Sequence, residues 1–317
     1  MSPPEVLLKI VVYGPQERVG ILDADRVIDC NAADPELPAD LKSLIELGAA
    51  GIARATAVLE KSRGAAIDGK RYLNVADVKL RAPWAHKRVA CAGGNYAAHS
   101  YGMAVNRGTP DITLEKMYAQ MRAAGNWGFW KVLDEAAGPG DEIPYPKIAD
   151  YFDYEAEVAI VIGKRGKDIA AGELKDYVWG VTLANDWSNR DMSGPNRAMS
   201  FNTNKNFDRS LSLGPCIVVG ELDPQNVDVE LRVNGDLRQK YNSADMVFNF
   251  AEILAYLSRD FTFVPGHLIL GGSGAGTAQD STKLNEDGTR PKDRFLKKGD
   301  VVQITSPAIG TLESRVV

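Results

Sequence analysis

The chain has 317 residues, a hydrophobic fraction of 44% and a formal net charge of −5. This length supports one large core with a small accessory domain. Because no basic run offers an electrostatic footprint for nucleic acid or an anionic membrane surface, we expect a small-molecule substrate. No apolar stretch approaches the roughly 18 residues of a membrane span, and Met1–Ile10 lacks the layout of a signal peptide, so we predict a cytoplasmic protein.

The first part of the chain alternates strand and helix patterns. Leu7–Tyr13 and Arg18–Asn31 alternate apolar and polar residues around Gly14-Pro15, which predicts a hairpin or meander. Leu41–Arg63 carries leucine, isoleucine and alanine at helical spacing, and Val75–Arg81 is again extended. These elements predict a small α+β accessory domain over residues 1–76, followed by a catalytic domain over residues 77–317.

The rest of the chain is dominated by short β-branched runs between glycine and proline turns. We predict strands at Glu157–Gly163, Val178–Asn185, Gly214–Gly220, Val227–Asn234, His267–Leu270 and Asp300–Ile304, and an amphipathic helix at Phe248–Leu257. Regular βαβ alternation is missing, so the expected fold is α+β, mainly β, a mixed β-sandwich or roll. The helix-prone stretch Thr113–Ala124 is interpreted equally well as a lid over substrate or as a peripheral helix.

Cysteine and histidine usage narrows the possible chemistry. Cys30, Cys91 and Cys216 are isolated, odd in number and not spaced like a metal knuckle or redox pair, so buried thiols are expected. Only three histidines occur, which argues against a multi-histidine metal site. A Gly-x-Ser-x-Gly elbow is also missing, which argues against a Ser-His-Asp hydrolase.

Three carboxylates form the most informative pattern. Glu155 and Glu157 stand at i and i+2 where a strand begins, so their side chains point to the same face. Asp186 follows about thirty residues later, after another apolar run. Two carboxylates that enter a buried strand need a cation to offset their repulsion, and hard oxygen ligands suit Mg²⁺, Mn²⁺ or Ca²⁺. The pattern predicts a divalent-metal enzyme.

Several blocks in one order resemble the fumarylacetoacetate hydrolase family over roughly Pro83 to Val317. They are Asn95-Tyr96-Ala97-Ala98-His99, Asp153-Tyr154-Glu155-Ala156-Glu157, Asn185-Asp186-Trp187-Ser188-Asn189-Arg190-Asp191, Lys205-Asn206-Phe207-Asp208, Asn234-Gly235, Asp245-Met246, Pro265-Gly266, Gly299-Asp300-Val301 and Gly310-Thr311-Leu312. Each block alone is weakly specific, and the ordered set is strongly specific.

The resemblance implies a fold, a site and an assembly. The fold would be the family's mixed β-roll with an N-terminal accessory domain, assembled as a homodimer. The metal ligands would be Glu155, Glu157 and Asp186. The catalytic residues would be His99 as the general base, Lys205 beside the substrate and Arg190 at the charged end of the substrate. Asp191 would either hydrogen-bond one of the metal ligands or form a structural ion pair, and the ion pair is at least as well supported. Tyr96, Ser273 and Thr277 are candidates for substrate contact, with Tyr96 also expected to pack in the core near the site.

The chain also departs from the family pattern. Many members carry a glutamate three residues after the histidine, where this chain has Gly102. Either His99 works alone, or an acid from the inserted stretch, such as Asp111 or Glu115, replaces that glutamate. The glycine-rich loop Gly271–Gly276 and His267 also differ from the usual pattern, which points to an unusual substrate or to weakened activity.

These residues support three hypotheses. The leading one is a metal-dependent hydrolase that cleaves a carbon–carbon bond in a 1,3-dioxo or 2-oxo acid, such as an acylpyruvate or a fumarylacetoacetate-like acid, in aromatic catabolism. The second is a 2-oxo acid decarboxylase, isomerase, tautomerase or dehydratase, because all of these reactions need the same stabilised enolate. The third is a non-catalytic family member that binds ligand without turnover.

Overall fold

The computed structural model describes residues 7–190 and 201–317. The strands are β1 Leu8–Tyr13, β2 Arg18–Asp23, β3 Arg26–Asp29, β4 Tyr72–Asn74, β5 Leu80–Arg81, β6 Arg88–Ala92, β7 Gly128–Val132, β8 Asp141–Ile143, β9 Phe152–Asp153, β10 Ala156–Ile162, β11 Val178–Asp186, β12 Ser188–Asn189, β13 Leu211–Val219, β14 Asp228–Val233, β15 Asp236–Asn242, β16 Leu268–Ser273, β17 Val301–Ser306 and β18 Gly310–Val316. The helices are α1 Cys30–Ala33, α2 Leu41–Glu46, α3 Gly48–Lys61, α4 Ala97–Asn106, α5 Leu114–Ala124, α6 Leu174–Tyr177, α7 Phe201–Asn204, α8 Phe250–Leu257 and α9 Ala278–Ser281. Asp191, which we expect to hydrogen-bond a metal ligand or form an ion pair, lies outside the described residues.

One large mixed sheet organises the molecule. Its strands follow the order β4-β3-β2-β1-β13-β11-β10-β16-β6-β7, with β5 paired to β1. Most neighbours are antiparallel, while β16 and β6 are parallel. The N-terminal strands extend this sheet, because β1 pairs with β13 from Leu8 opposite Val219 to Ile10 opposite Ile217. The division into residues 1–76 and 77–317 remains a prediction.

The large sheet is buried on both faces. Along β10, Val158 and Ile160 belong to one hydrophobic cluster, which also holds α8 and the five-stranded sheet β15-β14-β17-β18-β8. Ala159 and Val161 alternate into a second cluster, which holds α2 and α3. Because both faces are covered, the centre of β10 reads as a continuous apolar run rather than as an alternating one.

The helical predictions hold with corrected boundaries. The helix expected over Leu41–Arg63 is two helices, α2 and α3, that meet at Leu47–Gly48, where Gly48 has a φ of 55°. The helix predicted from Phe248 begins at Phe250, because the Asn249 side chain accepts a hydrogen bond from the Glu252 amide and caps it. The helix-prone stretch from Thr113 forms α5, in which no residue is buried.

None of the helices within the described residues combines the length and the apolar character that a membrane crossing requires.

Candidate active site

The backbone of β10 and β11 brings the three predicted metal ligands together. Ala156 of β10 lies opposite Asn185 of β11, and the Asp186 amide donates to the Glu155 carbonyl at 2.9 Å. Glu155 and Glu157, two residues apart, share one face of the strand. Ligand atoms of the two glutamates and Asp186 lie within 4.8 Å of one another, and all three side chains are buried.

Two lysines and an arginine surround these carboxylates, and the lysines contact Asp186. Lys205 Nζ donates to Glu155 Oε2 at 2.5 Å, Asp186 Oδ2 at 2.7 Å and Ser188 Oγ at 2.6 Å. Lys131, which is fully buried, donates to Asp186 and, at 2.8 Å, to the carbonyl of Ser210. These contacts fix the orientation of Asp186 from both sides.

Arg190 links the triad to the neighbouring strand β9. Its guanidinium donates to Glu155 and, at 3.1 Å, to Asp153 Oδ2. The sequence pattern assigned Arg190 to the charged end of a substrate, and in the structure its guanidinium is engaged by two protein carboxylates. Arg190 therefore holds Glu155 in place.

The two glutamates differ in their electrostatic environment. Burial alone would raise the pKa of Glu155, but the charges of Arg190 and Lys205 outweigh burial and lower it. Burial, together with the negative charges of Asp186 and Glu155, raises the pKa of Glu157 well above its usual range. The negative charges of Asp186 and Glu155 thus repel that of Glu157, and a bound cation would relieve this repulsion.

The donor set fits a hard divalent cation. The described residues contribute three carboxylates and no histidine or cysteine to this cluster. Carboxylate oxygens are the ligands that Mg²⁺, Mn²⁺ and Ca²⁺ prefer, and the lysine and arginine contacts supply the outer hydrogen bonds that keep such ligands oriented. The triad could therefore bind a divalent cation.

The site also contains a histidine paired with an acid. His99 lies in the first turn of α4, and its Nδ1 is 2.5 Å from Asp280 Oδ2 of α9. Both side chains are buried. A β-carbon added at Gly102 would lie 2.8 Å from the carbonyl oxygen of Asp280, so Gly102 leaves room for this acid. The acid beside His99 is Asp280, not Asp111 or Glu115, which are exposed.

The glycine-rich loop supports both halves of the site. The Gly272 amide donates to Glu157 Oε2 at 2.7 Å, and the Gly276 amide donates to Asp280 Oδ1 at 3.0 Å. Gly272 has a φ of 91°, which disfavours a residue with a β-carbon. The unusual loop sequence therefore serves to aim two backbone amides at two carboxylates.

A cavity of about 270 Å³ is lined by the triad and by His99, the partner of Asp280. Of the residues predicted from the sequence, His99, Glu155, Glu157, Asp186, Arg190, Lys205 and Ser273 line it. Tyr96 and Thr277 do not. Tyr96 packs edge-on against Tyr241, and Thr277 caps α9 by accepting from the Asp280 amide at 3.2 Å.

Sequence reasoning missed two residues of this site, Lys131 and Asp280. Lys131 interrupts the aromatic run Trp127–Val132, and a lysine on an apolar strand signals a buried ion pair. Asp280 stands three residues after Thr277, a spacing typical of a helix N-terminus. Neither signal says which distant residue the side chain will meet.

Residues 88–317 match the family model described as fumarylacetoacetate (FAA) hydrolase C-terminal. The chain belongs to the fumarylacetoacetate hydrolase family. The resemblance seen in the ordered blocks is confirmed, and so is the predicted fold, because solved structures of this enzyme family share it over almost the whole chain.

The names of similar proteins indicate which reactions occur among relatives of this chain. The mitochondrial oxaloacetate tautomerase fahd2 of Xenopus laevis is 30% identical over 323 residues, which cover 99% of this chain and 92% of the relative. The oxaloacetate tautomerase YisK of Bacillus subtilis is 30% identical, covering 93% and 94%. The crystal structure of a probable 2-hydroxyhepta-2,4-diene-1,7-dioate isomerase from Mycobacterium abscessus is 25% identical, with a TM-score of 0.71, covering 98% of each chain.

The leading functional hypothesis, a carbon–carbon bond hydrolase, is wrong. It is overturned because relatives matched over nearly the full chain are named tautomerases, and a solved neighbour is named an isomerase. The motifs could not separate these reactions, since both need a stabilised enolate. The assignment to aromatic catabolism depended on the hydrolase hypothesis and has no support among these relatives.

Proposed function

We propose that the chain is a divalent-metal-dependent tautomerase that interconverts the keto and enol forms of a 2-oxo dicarboxylic acid such as oxaloacetate. The observation that carries the proposal is that the acidic triad and His99, which is paired with Asp280, line one cavity. The named activity of the full-length relatives supports the choice of reaction.

The histidine pair supplies the proton transfer. Asp280 accepts the Nδ1–H of His99, which leaves Nε2 as the basic nitrogen for substrate. His99 would take a proton from C3, the carbon between the 2-oxo group and the second carboxylate. The same proton returned to the 2-oxo oxygen gives the enol, so the reaction consumes no water.

The triad and its lysine stabilise the charge that this transfer creates. A divalent cation held by Glu155, Glu157 and Asp186 would polarise the 2-oxo group and favour negative charge on its oxygen. Lys205 lines the same cavity, and the charges of Asp186 and Glu155 raise its pKa against the effect of burial, so it stays an ammonium ion. A fixed ammonium beside the developing oxyanion stabilises the transition state.

The test is the rate at which enol-oxaloacetate loses its ultraviolet absorbance in the presence of Mg²⁺ or Mn²⁺. We expect the purified protein to accelerate ketonisation and a chelator to abolish the effect. Because general acid–base catalysis contributes about 10²- to 10⁴-fold, His99→Asn and Asp280→Asn should each lower kcat within that range.

The matched control is Asp176→Asn, which removes an exposed acid at α6, away from the cavity. It should keep wild-type turnover. No acceleration by metal-loaded wild-type protein, or full activity in His99→Asn, would contradict the proposal. Mass spectrometry of the products checks the reaction type, since tautomerisation leaves the mass unchanged.

A further inference from the structure

Arg107 stands out among the cations of the cavity because it has no acidic partner among the described residues. It follows α4 directly, eight residues after His99, and lines the same cavity. Arg190 and Lys205 are both engaged by protein carboxylates. Within residues 7–190 and 201–317, the guanidinium of Arg107 makes no hydrogen bond or ion pair.

A second arginine strengthens the positive field at this place. Arg290 Nη1 donates to the carbonyls of Gln279 at 2.9 Å and Thr282 at 3.2 Å, so it is held by neutral groups. Burial lowers the pKa of Arg290, the positive charge of Arg107 lowers it further, and the negative charge of Asp153 opposes both effects. Within the part of the chain that the structure describes, neither guanidinium forms an ion pair with a carboxylate, so the two neighbouring cations are arranged to receive an anion.

The position of Arg107 matches the length of a short dicarboxylate. Eight residues of helix separate the Cα atoms of His99 and Arg107 by about 12 Å, a distance that an arginine side chain and a four-carbon acid can span together. With the 2-oxo carboxylate end at the triad, the other carboxylate extends past His99 toward Arg107. C3 then lies beside the base, because it is the carbon that joins the two halves.

We propose that Arg107, supported by Arg290, binds the second carboxylate of a 2-oxo dicarboxylic acid and thereby selects dicarboxylates over monocarboxylates. This inference rests on the proposed function for the placement of the 2-oxo end. Arg107 contacts substrate in this arrangement, whereas Arg290 acts through Arg107 as a positioning residue.

The first experiment compares kcat/KM for enol-oxaloacetate and for the enol of its C4 monomethyl ester, which lacks the second charge. Arg107→Gln should lower kcat/KM for oxaloacetate about 10- to 100-fold, the usual range for a hydrogen-bonded charged group, and change the ester less than 2-fold. Arg107→Lys should recover part of the loss. Arg290→Gln should raise KM for oxaloacetate alone, with kcat unchanged.

Arg63→Gln is the matched control, since it removes an exposed arginine that does not line the cavity. It should leave both substrates unaffected. An equal loss on both substrates in Arg107→Gln would show a structural role, and no loss on either would show that Arg107 does not contact substrate; both results overturn the inference.

A binding measurement separates this inference from the proposed function. Calorimetry with Mg²⁺-loaded protein compares fresh oxaloacetate with pyruvate, which shares the 2-oxo carboxylate and lacks the second one. If wild type binds oxaloacetate more tightly without turning it over, the proposed function fails and loss of that preference in Arg107→Gln still supports the inference. If wild type shows no preference for oxaloacetate, the inference is overturned.

Discussion

At the residue scale, the contact between Gly102 and Asp280 decides how the site obtains its acid. The Asp280 carbonyl accepts from Asn106 Nδ2 at 2.5 Å, so the end of α4 holds this backbone. A side chain at position 102 would collide with the segment that carries Asp280. The glycine and the aspartate therefore belong together, and the acid reaches His99 from α9 instead of from α4.

We predict that Gly102→Ala lowers activity by displacing Asp280. Its β-carbon would lie 2.8 Å from the Asp280 carbonyl oxygen and 3.1 Å from the Asp280 β-carbon, so backbone must move. Overpacking of this kind costs about 1–3 kcal/mol. The melting temperature and kcat should both fall, although alanine normally stabilises a helix relative to glycine.

Gly172→Ala is the control, because a β-carbon there meets open space. It should change neither the melting temperature nor kcat appreciably. An unchanged kcat in Gly102→Ala would show that the Asp280 segment tolerates the shift.

We predict that the buried His267 makes the stability of the protein depend on pH in acid. It lies at the start of β16 with both ring nitrogens buried and unpartnered within the described residues, and it packs edge-on against His86. Burial, with the nearby charges of His86 and Arg88, lowers its pKa to about 4. His267 is thus neutral in the folded protein near pH 6, whereas an exposed histidine begins to ionise there.

Because the unfolded chain binds a proton that the folded chain excludes, stability should fall as the pH drops from about 6.5 toward 4. The loss from His267 is at most about 3 kcal/mol across this window. His267→Phe keeps an aromatic ring and removes the ionisation, so its unfolding free energy should depend less steeply on pH. Chemical denaturation at several pH values measures the difference; identical slopes for both proteins would refute it.

At the scale of elements, Asp153 connects β9 to α9, the helix that carries Asp280. Asp153 Oδ1 accepts from the Ala278 amide at 2.8 Å, and Oδ2 accepts from the Gln279 amide and from Arg190 Nε, both at 3.1 Å. The start of α9 is therefore fixed to β9 and to Arg190. This link sets the distance between the triad and the His99–Asp280 pair.

We predict that Asp153→Asn destabilises the protein and lowers activity together. It leaves a buried Arg190 with one carboxylate instead of two, and removing one partner of a buried ion pair costs about 3 kcal/mol. Thermal unfolding and kcat with a saturating metal concentration measure the two effects. A lower melting temperature with full kcat would mean that α9 keeps its place without this link, and Asp176→Asn again serves as the control.

At the scale of the whole molecule, one central sheet carries the acidic triad between two hydrophobic layers. Both faces of β10 are covered, so the carboxylates at its start lie where water is excluded and their repulsion is strong. Binding of a divalent cation should then stabilise the entire fold, because the ion interacts with the folded state and not with the unfolded chain.

We predict that Mg²⁺ or Mn²⁺ at about 100 times its dissociation constant adds about 2.7 kcal/mol of stability, or roughly 4 °C in melting temperature. Glu157→Gln should abolish this shift, because it removes a ligand. The control Glu313→Gln, on the exposed part of β18, should retain it. A metal-induced shift that survives in Glu157→Gln would place the cation elsewhere.

The homodimer, the cytoplasmic location and the domain boundary near residue 76 remain predictions. Each concerns how the chain is divided, placed or assembled rather than how its side chains meet.

The sequence alone determined the family, the grouping of the three carboxylates and most strands, because these depend on local order. Glu155 and Glu157 are two residues apart on one strand, and apolar runs such as Val158–Ile162 signal burial without any knowledge of the neighbours. Only the tertiary structure decided which acid meets His99, that Lys131 holds Asp186, and that Arg107 has no acidic partner in the described part of the chain. Asp280 is 181 residues from His99, and such contacts arise from the packing of distant segments, which local patterns do not encode.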